Sequence, residues 1–166
     1  MAHRKTWPRN TLHVATLLLV TLLLVSCGKT GPLAPGAPAP SLEVALLDGS
    51  AWDPGRGPVL VNFWATWCLA CKVAIPELRN LSETGAVDVV GLALDSDPSK
   101  VEGFAAEHAI AYPLALDDGE IFDRFDGLAI PHSVLLGADG RVLAIYRGTV
   151  REEKVVDDLR LAGGAS

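Results

Sequence analysis

Side chains of the metal-ligand type are scarce. The 166 residues hold three cysteines, one methionine and four histidines. Past Cys27, only Cys68, Cys71, His108 and His132 remain, and the two histidines lie far apart in sequence. A structural zinc site started by Cys68 and Cys71 therefore lacks an obvious second pair of ligands. Clustered positive charge is missing too. Three of the 14 Lys+Arg, and none of the 20 Asp+Glu, fall within residues 1–26, which leaves the rest of the chain at a net charge of −9. An acidic body of this kind excludes a nucleic-acid surface, which needs clustered Lys and Arg. No apolar run reaches the roughly 20 residues that span a bilayer. The stretch Leu12–Val25 covers about 14 and is interrupted by Thr16 and Thr21. Gly28-Lys29-Thr30 ends like a phosphate loop, but Leu23 stands where its first glycine belongs. Asp95-Ser96-Asp97 starts like a calcium loop, which Pro98 and Lys100 then break. There is no internal repeat.

What is present divides into three parts. Residues 1–26 read as an export signal, with Arg4, Lys5 and Arg9 ahead of the apolar stretch, which closes on Ser26-Cys27. Leu24-Val25-Ser26-Cys27 resembles the lipobox of bacterial lipoproteins. That resemblance implies a diacylated Cys27 as the mature N-terminus and a lasting membrane anchor, since two acyl chains hold where one does not. The sequence leaves open which membrane carries it. Residues 27–40 then comprise the lipidated cysteine and a linker in which Pro32, Pro35, Pro38 and Pro40 alternate with Gly and Ala. Extended polyproline geometry would give that linker a reach on the order of 40 Å. Residues 41–166 form the folded domain.

Within the domain, Leu42–Leu47 is a short strand candidate and Asp48-Gly49 a turn. Val59–Trp64 is a nearly continuous apolar strand, as expected when both faces of a sheet are covered. Lys72–Leu81 is an amphipathic helix with a kink expected at Pro76. Val87–Leu94 is a second buried strand. Asp97-Pro98-Ser99 opens a helix to about His108, with proline at an allowed early position. Tyr112–Leu116 is a short strand and Glu120–Phe125 a short helix. Ser133–Leu136 and Val142–Tyr146 flank Asp139-Gly140 as a hairpin, and Arg151–Leu161 closes the chain as a helix. This order implies an α/β fold with a central mixed sheet flanked by helices.

The chemistry concentrates in Trp64-Ala65-Thr66-Trp67-Cys68-Leu69-Ala70-Cys71, where a buried strand hands over to a helix. Cysteines three apart at a helix start face each other. The unpaired backbone N–H groups and the helix dipole stabilise an anion at the first of them, which makes Cys68 the nucleophile. Cys71, one turn in, resolves a mixed disulfide. Half a zinc site and a purely structural disulfide are the competing readings of the same pair.

Residues 61–71, Val-Asn-Phe-Trp-Ala-Thr-Trp-Cys-Leu-Ala-Cys, resemble the active site of the membrane-tethered TlpA/ResA-like group of the thioredoxin superfamily. Ala129-Ile130-Pro131, followed by an apolar strand and Asp139-Gly140, is a second match. The long stretch between Cys71 and Pro131, an extra strand–helix unit that plain thioredoxins lack, is a third. The resemblance covers about residues 41–165. It implies a thioredoxin-like fold, a cis Pro131 packed against the thiol pair, and an Ile130 that offers backbone to an extended substrate. It also implies that Trp67 shields the thiols. Three departures stand out. Asn62 replaces a buried Asp of plain thioredoxins, and Ala74 replaces a Glu common in the tethered group. Leu69-Ala70 replaces a loop that usually carries proline. Both proton-handling acids are thus missing, with Glu77, a turn further on, as a possible substitute. His132 stands where a small hydroxyl residue is usual. It would either face the surface or sit near Cys68 as a thiolate partner or proton shuttle.

The expected function is extracytoplasmic reduction of protein disulfides by Cys68 and Cys71, with Trp67, Ile130, Pro131 and His132 meeting the substrate. Ile130 before the proline resembles the reducing members. The expected partners are a protein disulfide substrate, an apocytochrome c thiol pair among the candidates, and a membrane donor of reducing equivalents. A reductant in an oxidising compartment needs such a donor. No cofactor or metal is expected beyond the redox-active disulfide. The rival reading is a periplasmic copper chaperone with Cys68, Cys71 and His132 as soft ligands. A thiol peroxidase would need a proline in the loop before Cys68, and none is there.

Overall fold

The structure, a computed structural model, describes residues 31–53 and 57–163. Residues 1–30, and with them the export segment, Cys27 and Gly28, lie outside the described residues. Five strands form one sheet in the order β3-β2-β1-β4-β5: β1 Val59–Trp64, β2 Asp88–Ala93, β3 Leu114–Leu116, β4 His132–Leu136 and β5 Val142–Arg147. β1, β2 and β3 run parallel, β4 pairs antiparallel to β1, and β5 antiparallel to β4. The sheet is mixed, as the element order implies.

Among the described residues, four helices flank the sheet: α1 Leu69–Thr84, α2 Pro98–Glu107, α3 Glu120–Arg124 and α4 Glu152–Gly163. The chain steps from β1 through β2 to β3 in one direction, so right-handed crossovers put α1 and α2 on the same face. Their buried side chains, including Leu78, Leu81, Val101 and Phe104, share one core layer with Val155 of α4. α3 lies on the other face, where Ile121 and Phe125 pack with Phe63, Val90 and Leu92. Alternation along β1 divides the two layers. Leu60 and Trp64 point to the α1 side, whereas Val59, Val61 and Phe63 point away from it. Asn62 falls on the α1 side by the same alternation.

α1 is longer than its apolar pattern suggests. It starts at Leu69 because Cys68 serves as its N-cap, and it ends at Gly85, whose φ of 66° suits glycine at that position. It runs through Pro76, which lies on the exposed side of the helix and supplies no N–H to the Lys72 carbonyl one turn back. Leu42–Leu47 does not form a strand. Only isolated bridges occur there: Ala45 to Ala51 across the turn, and Leu46 to Ala115, which covers the β3 edge. The Asp48-Gly49 turn is present, with Gly49 N–H donating to the Leu46 carbonyl.

The largest difference lies in residues 33–40, expected as free linker. They are docked. Gly36 N–H donates to the Val142 carbonyl (2.7 Å), Val142 N–H to the Ala37 carbonyl (2.9 Å), and Ala39 N–H to the Gly140 carbonyl (2.9 Å). Leu33 N–H donates to an Asp126 carboxylate oxygen at 2.5 Å. Leu33, Ala39 and Leu42 cover the α3-side core layer. The folded unit begins at Pro32, not at residue 41. Alternating prolines prevent a helix, but they do not prevent an extended strap from pairing with a sheet edge. Among the described residues, no helix is long and apolar enough to cross a membrane.

Candidate active site

β1 ends at Trp64, which is buried in the α1-side layer. The chain then turns through Ala65-Thr66-Trp67, with Cys68 N–H donating to the Ala65 carbonyl at 3.1 Å. Cys68 caps α1 with extended backbone (φ −86°, ψ 106°), and its sulfur accepts from Cys71 N–H at 3.1 Å. The thiol pair is therefore set at the unpaired donors of a sixteen-residue helix, where negative charge on Cys68 is favoured. Cys68 and Cys71 are disulfide-bonded, with Cα atoms 5.2 Å apart. Cys68 is 7% exposed and Cys71 3%, and Cys68 is the member at the helix N-cap.

Ile130-Pro131 is a cis peptide. A cleft of about 290 Å³ runs along it, lined by Leu128, Ala129, Ile130, Arg147 and Gly148 among others. Trp67 (69% exposed), Leu69 (78%), Val73 (64%) and Leu128 (87%) are four of the five large apolar side chains the described fold leaves exposed. Three of them flank the disulfide in sequence, and the fourth lies on the loop before Pro131. Residues 67–71 hold no charge. The rim is thus an apolar contact surface around a buried sulfur pair.

Three polar residues that the sequence associates with this site have other duties. Asn62, 2% exposed, donates from Nδ2 to Ser133 Oγ at 2.9 Å, directly across the β1–β4 ladder. Ala74 is buried in the same layer as the cysteines, so no acid stands at either position. Glu77 is neither a solvated face residue nor a thiol partner. Its Oε2 accepts the Glu152 N–H at 2.9 Å and caps the start of α4. His132 is 1% exposed, which overturns its surface-facing reading. It does not join the thiols either. It pairs with Phe63 in register, and its ring lies among Phe63 and Phe122 on the sheet face away from α1. Its Nε2–H donates to the Phe125 carbonyl at 3.0 Å. Burial foremost, with the Arg147 charge nearby, lowers its pKa against the lifting effect of the Phe125 bond. The ring is thus a poor imidazolium, and a Cys68–Cys71–His132 copper set is not assembled.

One arrangement was not legible in advance. Asp95, just past β2, holds the active-site turn with both oxygens: Oδ2 accepts Thr66 N–H at 2.9 Å and Oδ1 accepts Thr66 Oγ–H at 2.6 Å. The signal for it is an acid at the end of the strand next to β1, level with the turn. The sequence offered that acid only as a fragment of a calcium loop. Asp97 is a helix cap, accepting Ser99 N–H at the start of α2.

A Cys-x-x-Cys at a strand-to-helix junction, on a mixed five-stranded sheet and near a cis proline, defines a thioredoxin-fold thiol–disulfide exchange protein. Residues 34–160 match the redoxin family model, and the chain belongs to that family. Its relatives are thiol–disulfide oxidoreductases of the TlpA/ResA-like kind. The ResA thiol–disulfide oxidoreductase of Bacillus thuringiensis is 28% identical over 87% of this chain and 94% of its own length. The thiol:disulfide interchange protein HelX of Rhodobacter capsulatus is 35% identical over 83% of this chain and 78% of its own. Among solved structures, a thioredoxin-family thiol:disulfide interchange protein of Chlorobium tepidum aligns with a TM-score of 0.66 at 25% identity, over 81% of this chain and 99% of its own. A secreted Mycobacterium tuberculosis disulfide oxidoreductase aligns at 0.63 and 22%, over 72% and 95%. This chain is an oxidoreductase that exchanges thiols and disulfides.

Proposed function

We propose that the exchange runs towards reduction, on the outer side of a bacterial membrane, with Cys27 as a lipid anchor. The observation that carries the reading is the disulfide at the α1 N-terminus, with exposed Trp67, Leu69 and Val73 next to it in the chain and Ile130 of the cis Ile130–Pro131 peptide packed against the core layer that holds both cysteines. In the reduced enzyme the Cys68 thiolate attacks one sulfur of a substrate disulfide, and the other substrate sulfur leaves as a thiolate and takes up a proton. Cys71 gives up its proton and attacks Cys68 in the mixed disulfide. The second substrate thiol departs, and the Cys68–Cys71 bond remains. The two electrons now in the substrate are replaced by a membrane donor of thiols. Trp67, Leu69 and Leu128 would bear on the substrate chain, with Ile130 offering its backbone. Exposed apolar side chains beside the thiol pair, with Arg147 on the cleft at Ile130–Pro131, suit an unfolded thiol-bearing segment, and an apocytochrome c cysteine pair is a substrate of that chemistry.

The test is Cys71→Ser in the full-length chain, expressed in a bacterial host. The variant accumulates mixed disulfides through Cys68, which mass spectrometry identifies, while Cys68→Ser/Cys71→Ser accumulates none. An equal yield from both variants refutes exchange through Cys68. Labelled palmitate incorporation that Cys27→Ala abolishes supports the anchor, and incorporation in that variant refutes it.

A further inference from the structure

We infer that Asp95 is a positioning residue for this exchange site, acting through Thr66 to hold the turn that presents Cys68 and to make the dithiol a stronger reductant. The inference rests on thiol–disulfide exchange at Cys68 and Cys71 and adds to it a group that touches neither sulfur.

The geometry is that of a two-point clamp. One carboxylate accepts both donors of a single residue, the backbone N–H and the hydroxyl of Thr66. Charged hydrogen bonds are the stronger kind, and a bidentate pair fixes orientation as well as distance. The clamp is aimed from a rigid base, because Leu94 N–H donates to the Trp64 carbonyl at 2.8 Å and so extends the β1–β2 pairing up to Asp95. Thr66 is followed by Trp67, which is exposed, and then by Cys68, whose N–H is tied back to Ala65. The clamped residue is therefore at the centre of the turn whose end is the nucleophile and the N-cap of α1. Nothing else in the described structure holds the Thr66 hydroxyl.

The charge has a direction of effect. Thr66 is two residues from Cys68, at most about 7.6 Å between Cα atoms, so the carboxylate bonded to it lies roughly 10 Å from the sulfur. A negative charge at that range opposes the thiolate that the α1 dipole favours. A less stable thiolate means a less stable reduced form, and hence a pair that gives up its electrons more readily. With both acids of the family absent at Asn62 and Ala74, Asp95 is the carboxylate tied to the active-site turn.

The experiment equilibrates full-length wild type, Asp95→Ala, Thr66→Val, Thr66→Ser and Asp97→Ala with glutathione redox buffers and measures the reduced fraction. Exchange rates on a peptide disulfide are recorded in parallel. In Asp95→Ala the equilibrium is expected to move roughly tenfold towards the dithiol, the effect of removing one charge at about 10 Å and an effective dielectric near 20, and to about 30 mV less reducing. Thr66→Val, which loses one of the two bonds, moves the rate but keeps the charge, and Thr66→Ser behaves as wild type. Asp97→Ala, which lacks a cap on α2 and nothing at the turn, keeps the wild-type equilibrium. An unchanged equilibrium in Asp95→Ala overturns the inference, as does an equal shift in Asp97→Ala. A wild type that equilibrates with glutathione but exchanges no peptide disulfide would instead refute the exchange reading.

Discussion

Asn62→Asp puts back a buried acid beneath the thiols, and the structure says what that costs. Asn62 is 2% exposed, on the α1 face of β1 between Leu60 and Trp64, and its one polar partner is the Ser133 hydroxyl at 2.9 Å. In the variant the hydroxyl turns round and donates to the new carboxyl, so the bond persists with its polarity reversed. The charge has no cation to meet. Burial of this degree raises a carboxyl pKa by about 3 units, from an unfolded value of about 3.9 to about 7. The sign follows from proton uptake. Between those two values the native state holds more protons than the unfolded state, so stability relative to wild type falls as pH rises through that window. At 1.36 kcal/mol per unit, the loss is about 0.5 kcal/mol at pH 4, about 1.5 kcal/mol at pH 5 and about 4 kcal/mol at pH 9, against a total of about 5–15 kcal/mol for a domain. Urea unfolding of both proteins at pH 5 and pH 9 measures it. A midpoint difference that is the same at both pH values would show that position 62 is not desolvated, and the two-layer description of β1 would be wrong. The same carboxyl faces Cys71's layer and can accept a proton from it. Release of the mixed disulfide is therefore expected to quicken, by up to on the order of a hundredfold, at the expense of stability above neutral pH.

Glu77→Ala removes the acceptor for the Glu152 N–H and is expected to cost about 1 kcal/mol, as for other helix caps, seen as a lower thermal midpoint with exchange rates unchanged. Slower exchange with an unchanged midpoint would return Glu77 to the thiols. His132 titrates with a lowered pKa because it is buried. The unfolded chain therefore takes up that proton first, and wild type loses stability as pH falls from about 7 towards 5, below the ordinary value of 6.5. His132→Gln, which keeps a donor for the Phe125 carbonyl and carries no charge, is expected to give a flatter stability profile over that window in chemical denaturation. An unaltered slope would mean that His132 is not the group involved.

The fold could be read in the sequence wherever periodicity and covalent chemistry agreed. β1, β2, α2 and the β4–β5 hairpin stand within a residue or two of their patterns because apolar runs, Asp97-Pro98 and Asp139-Gly140 each have one good local solution. The N-terminal strap was missed for a tertiary reason. Its prolines correctly exclude a helix, but what pairs with Gly36, Ala37 and Ala39 is a hairpin a hundred residues away, and no local signal carries that. The same holds for the polar side chains of the site. Cys68, Cys71 and the cis Ile130–Pro131 were identifiable because a sequence motif specifies them. The partners of Glu77, His132 and Asp95 depend on which strands are neighbours. His132 follows Pro131 directly in the chain, but strand parity turns its ring to the Phe63 face, and adjacency in sequence carries no sign of that.

The arrangement of these polar groups bears on the mechanism as a whole. Asp95 is occupied with Thr66, Glu77 with Glu152, His132 with Phe125 and Asn62 with Ser133. Each is a hydrogen bond that fixes an element next to the disulfide: the turn, the closing helix, the loop before cis Pro131, and the β1–β4 pairing. Each contact holds its side chain at its own element, and none of these hydrogen bonds goes to either sulfur. The core layer that holds both cysteines is built of apolar side chains, among them Trp64, Ala74 and Ile75. With Asn62 and Ala74 in place of acids and the His132 ring on the opposite sheet face, the proton of Cys71 is expected to leave to water or to the departing substrate sulfur. A site of this kind relies on orientation for its rate and on the helix dipole and the Asp95 charge for its thiol equilibrium. On this argument its exchange rate follows the thiol ionisations alone across neutral pH, with no additional carboxyl or imidazole step, and Asn62→Asp is the substitution that would introduce one.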